Sequence, residues 1–431
     1  MLAALCRRPL AAATILGLGA LSLPAIHASG FANANQGGRA LGLAGASVAQ
    51  ASDPSAVFYN AAGVAFLTGT QVYLSGGLSR FSTDFVGEGP FPPLATVEQT
   101  EPSLKALPSF YASHRVSKRL AVGIGLVSPF GTRSEWQNPD QFTGRLTCTD
   151  CEISSWSFNP TLAYQIEDRL AVGLGLDLRF SNLRLDRRLL AVPGVDVQTV
   201  DVAAATLATS TDTAIGFNLG VQASPSENLT LGLAYRHRVQ AVYTAAGSFT
   251  QIPTGSASVD AAVAANLPPT QAATVTHFFP GTLAAGVAVR RGSLRVEADL
   301  EIAFWSTFRS IEVRYATSPA LSLSLPQAHE TTLGGRLGVE YELGPAWTVR
   351  GGYSYDQAPQ PPATYSPFLH ALASHAFSVG GTWTRGNVHV DVAGRYLARR
   401  SGSTLGSSHY DYDGSYQTSA LQASVGLGFR F

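Results

Sequence analysis

Along much of the chain, apolar and polar residues alternate one by one, the period of a β-strand with a single apolar face. Near the C-terminus Leu421, Ala423, Val425, Leu427, Phe429 and Phe431 share one face, with Gln422, Ser424, Gly426, Gly428 and Arg430 on the other. Leu170, Val172, Leu174, Leu176, Leu178 and Phe180 oppose Ala171, Gly173, Gly175, Asp177, Arg179 and Ser181 in the same way. Leu229, Leu231, Leu233 and Tyr235 oppose Thr230, Gly232, Ala234 and Arg236. Leu294, Val296, Ala298, Leu300, Ile302 and Phe304 oppose Arg295, Glu297, Asp299 and Glu301. A row of such charges does not face lipid, where an Arg costs about 2–4 kcal/mol near the midplane. It requires a polar interior or water. Strands of about ten residues are long enough to cross a bilayer at a tilt.

The connections alternate in length. Short links fall at Ser117-Lys118-Arg119, Glu167-Asp168-Arg169, Ser224 to Asn228, Arg291-Gly292-Ser293, Leu343 to Ala346 and Arg385-Gly386-Asn387. Longer polar or Pro/Gly-rich segments lie near 82–107, 131–151, 185–211, 244–276, 316–328, 357–373 and 399–417. Six short turns and seven long loops predict 14 strands, if 294–315 is one strand running through Trp305-Ser306. Membrane barrels of this kind have even strand numbers, short periplasmic turns and long outer loops. The near-repeats Arg119–Leu126 and Arg169–Leu176 each follow a short turn and reflect strand starts more than a solenoid repeat.

Composition narrows the choice. Charged residues make up 13%, against a usual ~25%, while glycine numbers 43 and aromatics reach 10%. A soluble periplasmic β-sandwich fits those figures as well as a barrel does; the alternation decides for the barrel. A net charge of zero argues against nucleic acid as partner. The start reads as an address: Arg7 and Arg8, an apolar run from Leu10 to Leu23, then Ala25-Ile26-His27-Ala28 before Ser29. We expect residues 1–28 to be a cleaved signal peptide, 29–70 a hatch and 71–431 the barrel. The hatch segment is rich in small residues, lacks sustained alternation and carries scattered apolars (Leu41, Leu43, Val48, Val57, Phe58). It either hangs in the periplasm or folds into the lumen, and its small side chains favour packing inside. The fold expected is all-β: a 14-stranded antiparallel transmembrane barrel with an N-terminal hatch in its lumen.

Several short stretches resemble the FadL/TodX family of outer-membrane channels for hydrophobic compounds. They are Ser29-Gly30-Phe31, Arg39-Ala40 with Gly45-Ala46, and Ser52 to Val64, which is similar to the family's acidic stretch running into Asn-Pro-Ala. Here Asn60, Ala61, Ala62 and Gly63 stand at that motif, with Ala61 in place of the proline. Ser128-Pro129-Phe130-Gly131-Thr132 through Trp136, Phe304 to Phe308, and Tyr353 to Asp356 with Pro359 match in order and spacing. The resemblance implies passive uptake of hydrophobic compounds, above all long-chain fatty acids. Ligand lodges among outer loops, moves to a pocket against the hatch, and leaves sideways where the third strand is kinked. An aromatic hydrocarbon channel is the alternative within the family. A lipid hydrolase built on a barrel, or a purely structural barrel, are alternatives outside it. No nucleophile elbow or evident Ser/His pairing supports the hydrolase.

Each candidate residue has two readings. Pro129, Phe130 and Gly131 form a lateral gate or simply end a strand; Pro lacks a ladder donor and Gly often marks a bend. Leu189, Leu190 and Val192 in one loop, and Phe249 and Ile252 in another, form an apolar ligand groove or pack on one another. Arg184, Arg187 and Arg188 lie at the base of the first loop, and Arg187 falls where the family places a basic residue. Arg187 pairs with a carboxylate head group or serves the outer rim; Glu312 stands where a second basic partner is expected. Phe31 lines the inner pocket or anchors the hatch. Cys148-Thr149-Asp150-Cys151 has CxxC spacing, poor metal evidence without a second pair or a nearby His, and reads as a small disulfide. Phe431, an aromatic end to an alternating strand, is the type of residue read by barrel assembly machinery. Outer-membrane lipid is the remaining expected partner, and no cofactor motif is present.

Overall fold

The computed structural model describes residues 30–33, 36–50, 52–404 and 406–431. The expected signal peptide, 1–28, lies outside the described residues. Fourteen staves close an antiparallel barrel. They are β1 (Thr70–Gly87), β2 (Ser103–Arg115), β3 (Leu120–Val127, continued by Gly131–Glu135), β4 (Asp150–Glu167) and β5 (Leu170–Leu189). Next come β6 (Ala203–Thr209 and Asp212–Ser226), β7 (Leu229–Arg236 and Val239–Gln251), β8 (Gln271–Phe279 and Thr282–Arg291) and β9 (Leu294–Ala303 and Ser310–Tyr315). The last are β10 (Thr332–Glu342), β11 (Trp347–Asp356), β12 (Ser374–Arg385), β13 (Val388–Ser403) and β14 (Gly414–Arg430). Closure runs from Gln71↔Arg430 to Gly87↔Gly414, leaving no open edge between the first and last staves. As expected, β9 is one stave: the chain leaves it at Phe304, makes a 3₁₀ turn at Trp305–Thr307 and rejoins at Ser310.

Several staves run further than the alternation suggested. Segments 82–107, 185–211, 244–276 and 399–417 read as loops, yet β1 continues to Gly87, β5 to Leu189, β7 to Gln251 and β13 to Ser403. The reason is an inversion of the pattern. On β5, Leu174, Leu176 and Phe180 face outward, while Asp177, Arg179 and Ser181 are buried inside. Above Phe180, Leu183 and Leu185 turn inward and Asn182 and Arg184 are exposed. Outside the lower part lies lipid and outside the upper part water, so the favourable face for an apolar side chain changes sides. The same switch occurs on β1, where Leu74 and Leu78 face out and Phe85 is fully buried.

The hatch fills the lower lumen with two short helices, α1 (Gly38–Gly42) and α2 (Ala56–Tyr59), and a 3₁₀ segment, Ala61–Phe66. Wall charges that could not face lipid are spent on it. Asp299 of β9 accepts the N–H groups of Ser47 (2.8 Å) and Val48 (3.1 Å). Glu297 accepts that of Ala49 (2.8 Å). Arg39 of α1 meets Glu340 of β10 at 3.3 Å. Asn60 donates to Val48 O (2.8 Å) and to Val221 O of the wall (3.0 Å). Its own side-chain oxygen caps Ala62 N at 3.1 Å. Wall glycines admit this close packing: a Cβ on Gly173 would lie 2.3 Å from the carbonyl carbon of Ala61.

Candidate functional site

The wall is broken at β3. Proline at 129 supplies no ladder donor, and the chain leaves the sheet between Val127 and Gly131. From Val127↔Ser157 to Gly131↔Ser154 it uses one more residue than β4, so the break is a bulge. On its other side, β3 pairs with β2 only from Phe110↔Leu126 to Arg115↔Ala121. Above that, Ser103 to Ser109 pair with β1 but not with β3. The sheet recloses higher, where Glu101 N donates to Glu135 O (2.7 Å) and Gln137 N to Gln99 O (3.0 Å). A slot in the wall results, bounded by the upper half of β2 and by residues 127–134.

The start of the hatch lies against this slot from inside. Asn33 N donates to Pro129 O (2.7 Å), Gly131 N donates to Phe31 O (2.9 Å), and Ala32 and Phe130 form an isolated bridge. Gln36 donates its side-chain amide to Ser128 O (2.8 Å) and accepts Ser128 N (3.2 Å). Residues 31–33 therefore act as a short substitute strand on the edge that β2 leaves unpaired. The Phe31 ring is buried among Trp305 (5.1 Å between centroids), Phe308 (5.3 Å), Phe130 (5.9 Å) and Phe279 (6.2 Å). The Arg179 guanidinium lies over the Phe130 and Phe279 rings, at 4.8 and 5.0 Å. It also pairs with Asp177 at 2.5 Å.

Above Phe31 a cavity opens toward the slot, with about 1070 Å³ of empty space partly continuous with solvent. Its lining mixes apolar groups (Phe31, Leu107, Phe368, Leu369) with cations (Lys105, Arg395). Segment 357–373 roofs it: Phe368 and Leu369 join the cluster around Phe31, and Tyr365 and Leu372 join a second one around Trp136 and Phe142.

The structure brings some of the expected site residues together. Pro129, Phe130 and Gly131 all sit at the break, and Phe31 abuts it. Leu189 and Val192 are 7% and 4% exposed and pack with Val202, Ala205 and Val263, with Phe249 at the edge of that cluster and of the one around Phe31. These loop apolars are largely buried against one another, because the extended staves and the helix Ala257–Asn266 cover them. Leu190 and Ile252 are half-buried and belong to neither cluster. Arg187 lies on β5 itself, opposite Ala205, not in a loop. It pairs with no acid among the described residues; burial lowers its pKa, and Tyr315 opposes that. Glu312 is engaged by the Ser310 and Ser324 hydroxyls, at 2.6 Å each. Cys148 and Cys151 are disulfide-bonded and buried. Lys105, Arg179, Phe279 and Phe308 were not singled out from the sequence. Lys105 falls in a stretch that reads as loop, and the other three converge only when distant staves close the barrel.

A hatched 14-stave barrel with a stave interrupted beside its hatch defines a class of outer-membrane transport channels. The chain belongs to the outer membrane protein transport protein family (OMPP1/FadL/TodX), whose model matches residues 21–431. A Pseudomonas aeruginosa FadL homologue of known crystal structure is 19% identical, covers 94% of this chain and 100% of its own, and superposes with a TM-score of 0.80. The Pseudomonas putida toluene transporter TodX is 16% identical with a TM-score of 0.69, covering 94% of this chain and 99% of its own. The Ralstonia pickettii toluene transporter TbuX is 20% identical with a TM-score of 0.67, covering 92% and 98%. A curated outer membrane protein of Neisseria meningitidis serogroup B is 30% identical over 133 residues, 29% of this chain and 28% of that protein. That match thus spans about 28% of the curated relative's length.

Proposed function

We propose that this protein is a passive channel for hydrophobic compounds, foremost long-chain fatty acids, which leave through the slot at β3. The observation that carries this reading is the interrupted pairing between β2 and β3, faced from inside by the cavity and by residues 31–33. An apolar solute gains roughly 25 cal/mol per Å² of buried apolar surface, so a dry path from groove to pocket to bilayer suits it better than a water-filled pore. Ligand would enter among the outer segments carrying Leu189, Leu190, Val192, Phe249 and Ile252, where Arg187, without an acidic partner among the described residues, offers two donors to a carboxylate. It would then reach the cavity at Phe31. Asn60 to Gly63 hold the hatch beneath it, so the direct route down the lumen stays closed. Expected partners are the ligand and the outer-membrane lipid that receives it, with barrel assembly machinery reading Phe431 during biogenesis.

The second reading, an aromatic hydrocarbon channel, is favoured by the cluster of Phe31, Phe130, Phe279, Trp305 and Phe308, in which four rings meet Phe31 edge-to-face and another ring would be accepted. Uptake of labelled oleate and of labelled toluene, in a host lacking its own fatty-acid channel, separates the two. The protein would be compared with the double variant Pro129→Val/Gly131→Val, which restores a ladder donor and fills the bend. Oleate uptake that falls at least tenfold in the variant is the expected result; the same loss for toluene alone favours the second reading. Uptake of neither compound by correctly inserted protein overturns both.

A further inference from the structure

The cavity behind the slot contains a cation with no partner among the described residues. Lys105, inward-facing on β2 opposite Ser79, has a fully buried Nζ that makes no hydrogen bond among the described residues. The amine reaches across the break to β3: a Cβ on Gly131 would lie 2.1 Å from it. Glycine at 131 thus leaves the volume that the lysine head group occupies, in the stretch where β2 and β3 exchange no ladder hydrogen bonds. Leu107 and Phe31 supply apolar surface on the same cavity. Buried ammonium groups are nearly always paired, because an unpaired charge removed from water is strongly disfavoured. The acid whose field acts on Lys105 is Glu152, which makes no salt bridge to it among the described residues.

We propose that Lys105 is a carboxylate station at the lateral exit: it takes the head group of an apolar monocarboxylic acid while the acid's chain lies between Phe31 and Leu107. This inference rests on the lateral-exit reading above and deepens it. An acid leaving through the slot satisfies the amine at the point where ladder hydrogen bonds are missing. A neutral hydrocarbon of the same length leaves it unsatisfied. Lys105 thus favours acids over their neutral counterparts, and it does so at a place distinct from Arg187 on β5.

The test compares oleate with methyl oleate, which share a chain and differ in the ionisable group. Purified full-length protein in detergent would be assayed for binding of each radiolabelled compound, for the wild type, Lys105→Met and Lys105→Arg. Correct folding of each variant is checked by the heat-dependent gel shift of a closed barrel. The expected result is oleate binding at least tenfold weaker in Lys105→Met, near wild type in Lys105→Arg, and methyl oleate binding within twofold throughout. Equal loss for both compounds, or no loss of oleate binding, overturns the station. In cells, wild-type uptake of both compounds with Lys105→Met unchanged also overturns it while leaving the channel intact. Uptake of neither by the wild type overturns the channel itself.

Discussion

The backbone N–H of Gly131 donates to the carbonyl of Phe31 at 2.9 Å, joining the first described residues of the hatch to the broken edge of stave β3. This hydrogen bond is one of several that couple the plug to the wall, and the Phe31 ring keeps it in register by packing among Trp305, Phe308 and Phe130. Phe31→Ala removes that packing, a change that costs about 3–5 kcal/mol for a buried phenylalanine. We expect the amides of Asn33 and Gly131 to exchange with deuterium at least a hundredfold faster while the β1–β14 seam stays protected. Unchanged protection at both amides would show that the ring does not hold the substitute strand.

Asp299 acts lower down, as acceptor for Ser47 N and Val48 N. Asp299→Ala leaves two buried donors unmet, at roughly 1–3 kcal/mol each. Arg39 is buried in the docked hatch and becomes a trypsin site only when the hatch opens. Cleavage after Arg39 should therefore be at least tenfold faster in the variant, with Asp299→Asn, which keeps an oxygen acceptor, in between. Equal cleavage rates in all three proteins count against this anchoring.

The lipid-facing belt was legible because its alternation has one sense and many repeats, as on β5 from Leu170 to Phe180. The upper wall was not. Leu183 and Leu185 share a face with Asp177 and Arg179, so the apolar set changes sides within one strand and reads as an irregular loop. Lys105 was lost for the same reason, since 82–107 carries no alternation of a single sense. Pro129 and Gly131 were readable because their backbone chemistry is local. The ring cluster around Phe31 was not, because Phe130, Phe279 and Trp305 come from three staves, and only their convergence makes a site. Arg187 was recognised by resemblance, though its place on an extended strand was not.

Hatch docking also depends on wall residues that lack side chains. A Cβ on Gly173 would meet the backbone of Ala61 and Ala62 at 2.3 and 2.4 Å, atoms that cannot step aside. On Gly76 it would meet nothing within 4 Å. Gly173→Val should leave barrel insertion and the heat-dependent gel shift intact but cut exchange protection of residues 60–67 by at least tenfold. Gly76→Val serves as the control and should do neither. Loss of the folded gel band in Gly173→Val would mean that hatch and barrel form as one unit, against this expectation.

The roof over the cavity is predicted to loosen in acid. His370, in segment 357–373 outside the membrane belt, donates through Nδ1–H to Ser366 O (3.3 Å), and in that neutral tautomer its Nε2 accepts from Thr83 Oγ1 (2.9 Å). It stacks on Tyr416, with centroids 4.8 Å apart. Burial pushes its pKa down to about 4, and the nearby Arg400 charge acts in the same direction, outweighing the Ser366 carbonyl, which favours the cation. The folded state thus binds fewer protons than the open one between about pH 4 and the ordinary histidine value near 6.5. Docking stability is complete above about pH 6.5 and declines as pH falls toward 4, by at most about 1.4 kcal/mol per pH unit. At pH 5 the loss is roughly 2 kcal/mol at most, less to the extent that solvent in the cavity screens the ring. Exchange protection of 357–373, corrected for intrinsic rate, should therefore drop about tenfold or more from pH 7.5 to 5.0. His370→Gln should flatten that dependence. A wild-type roof equally protected at both pH values, or a variant with the same drop, would remove His370 as its cause.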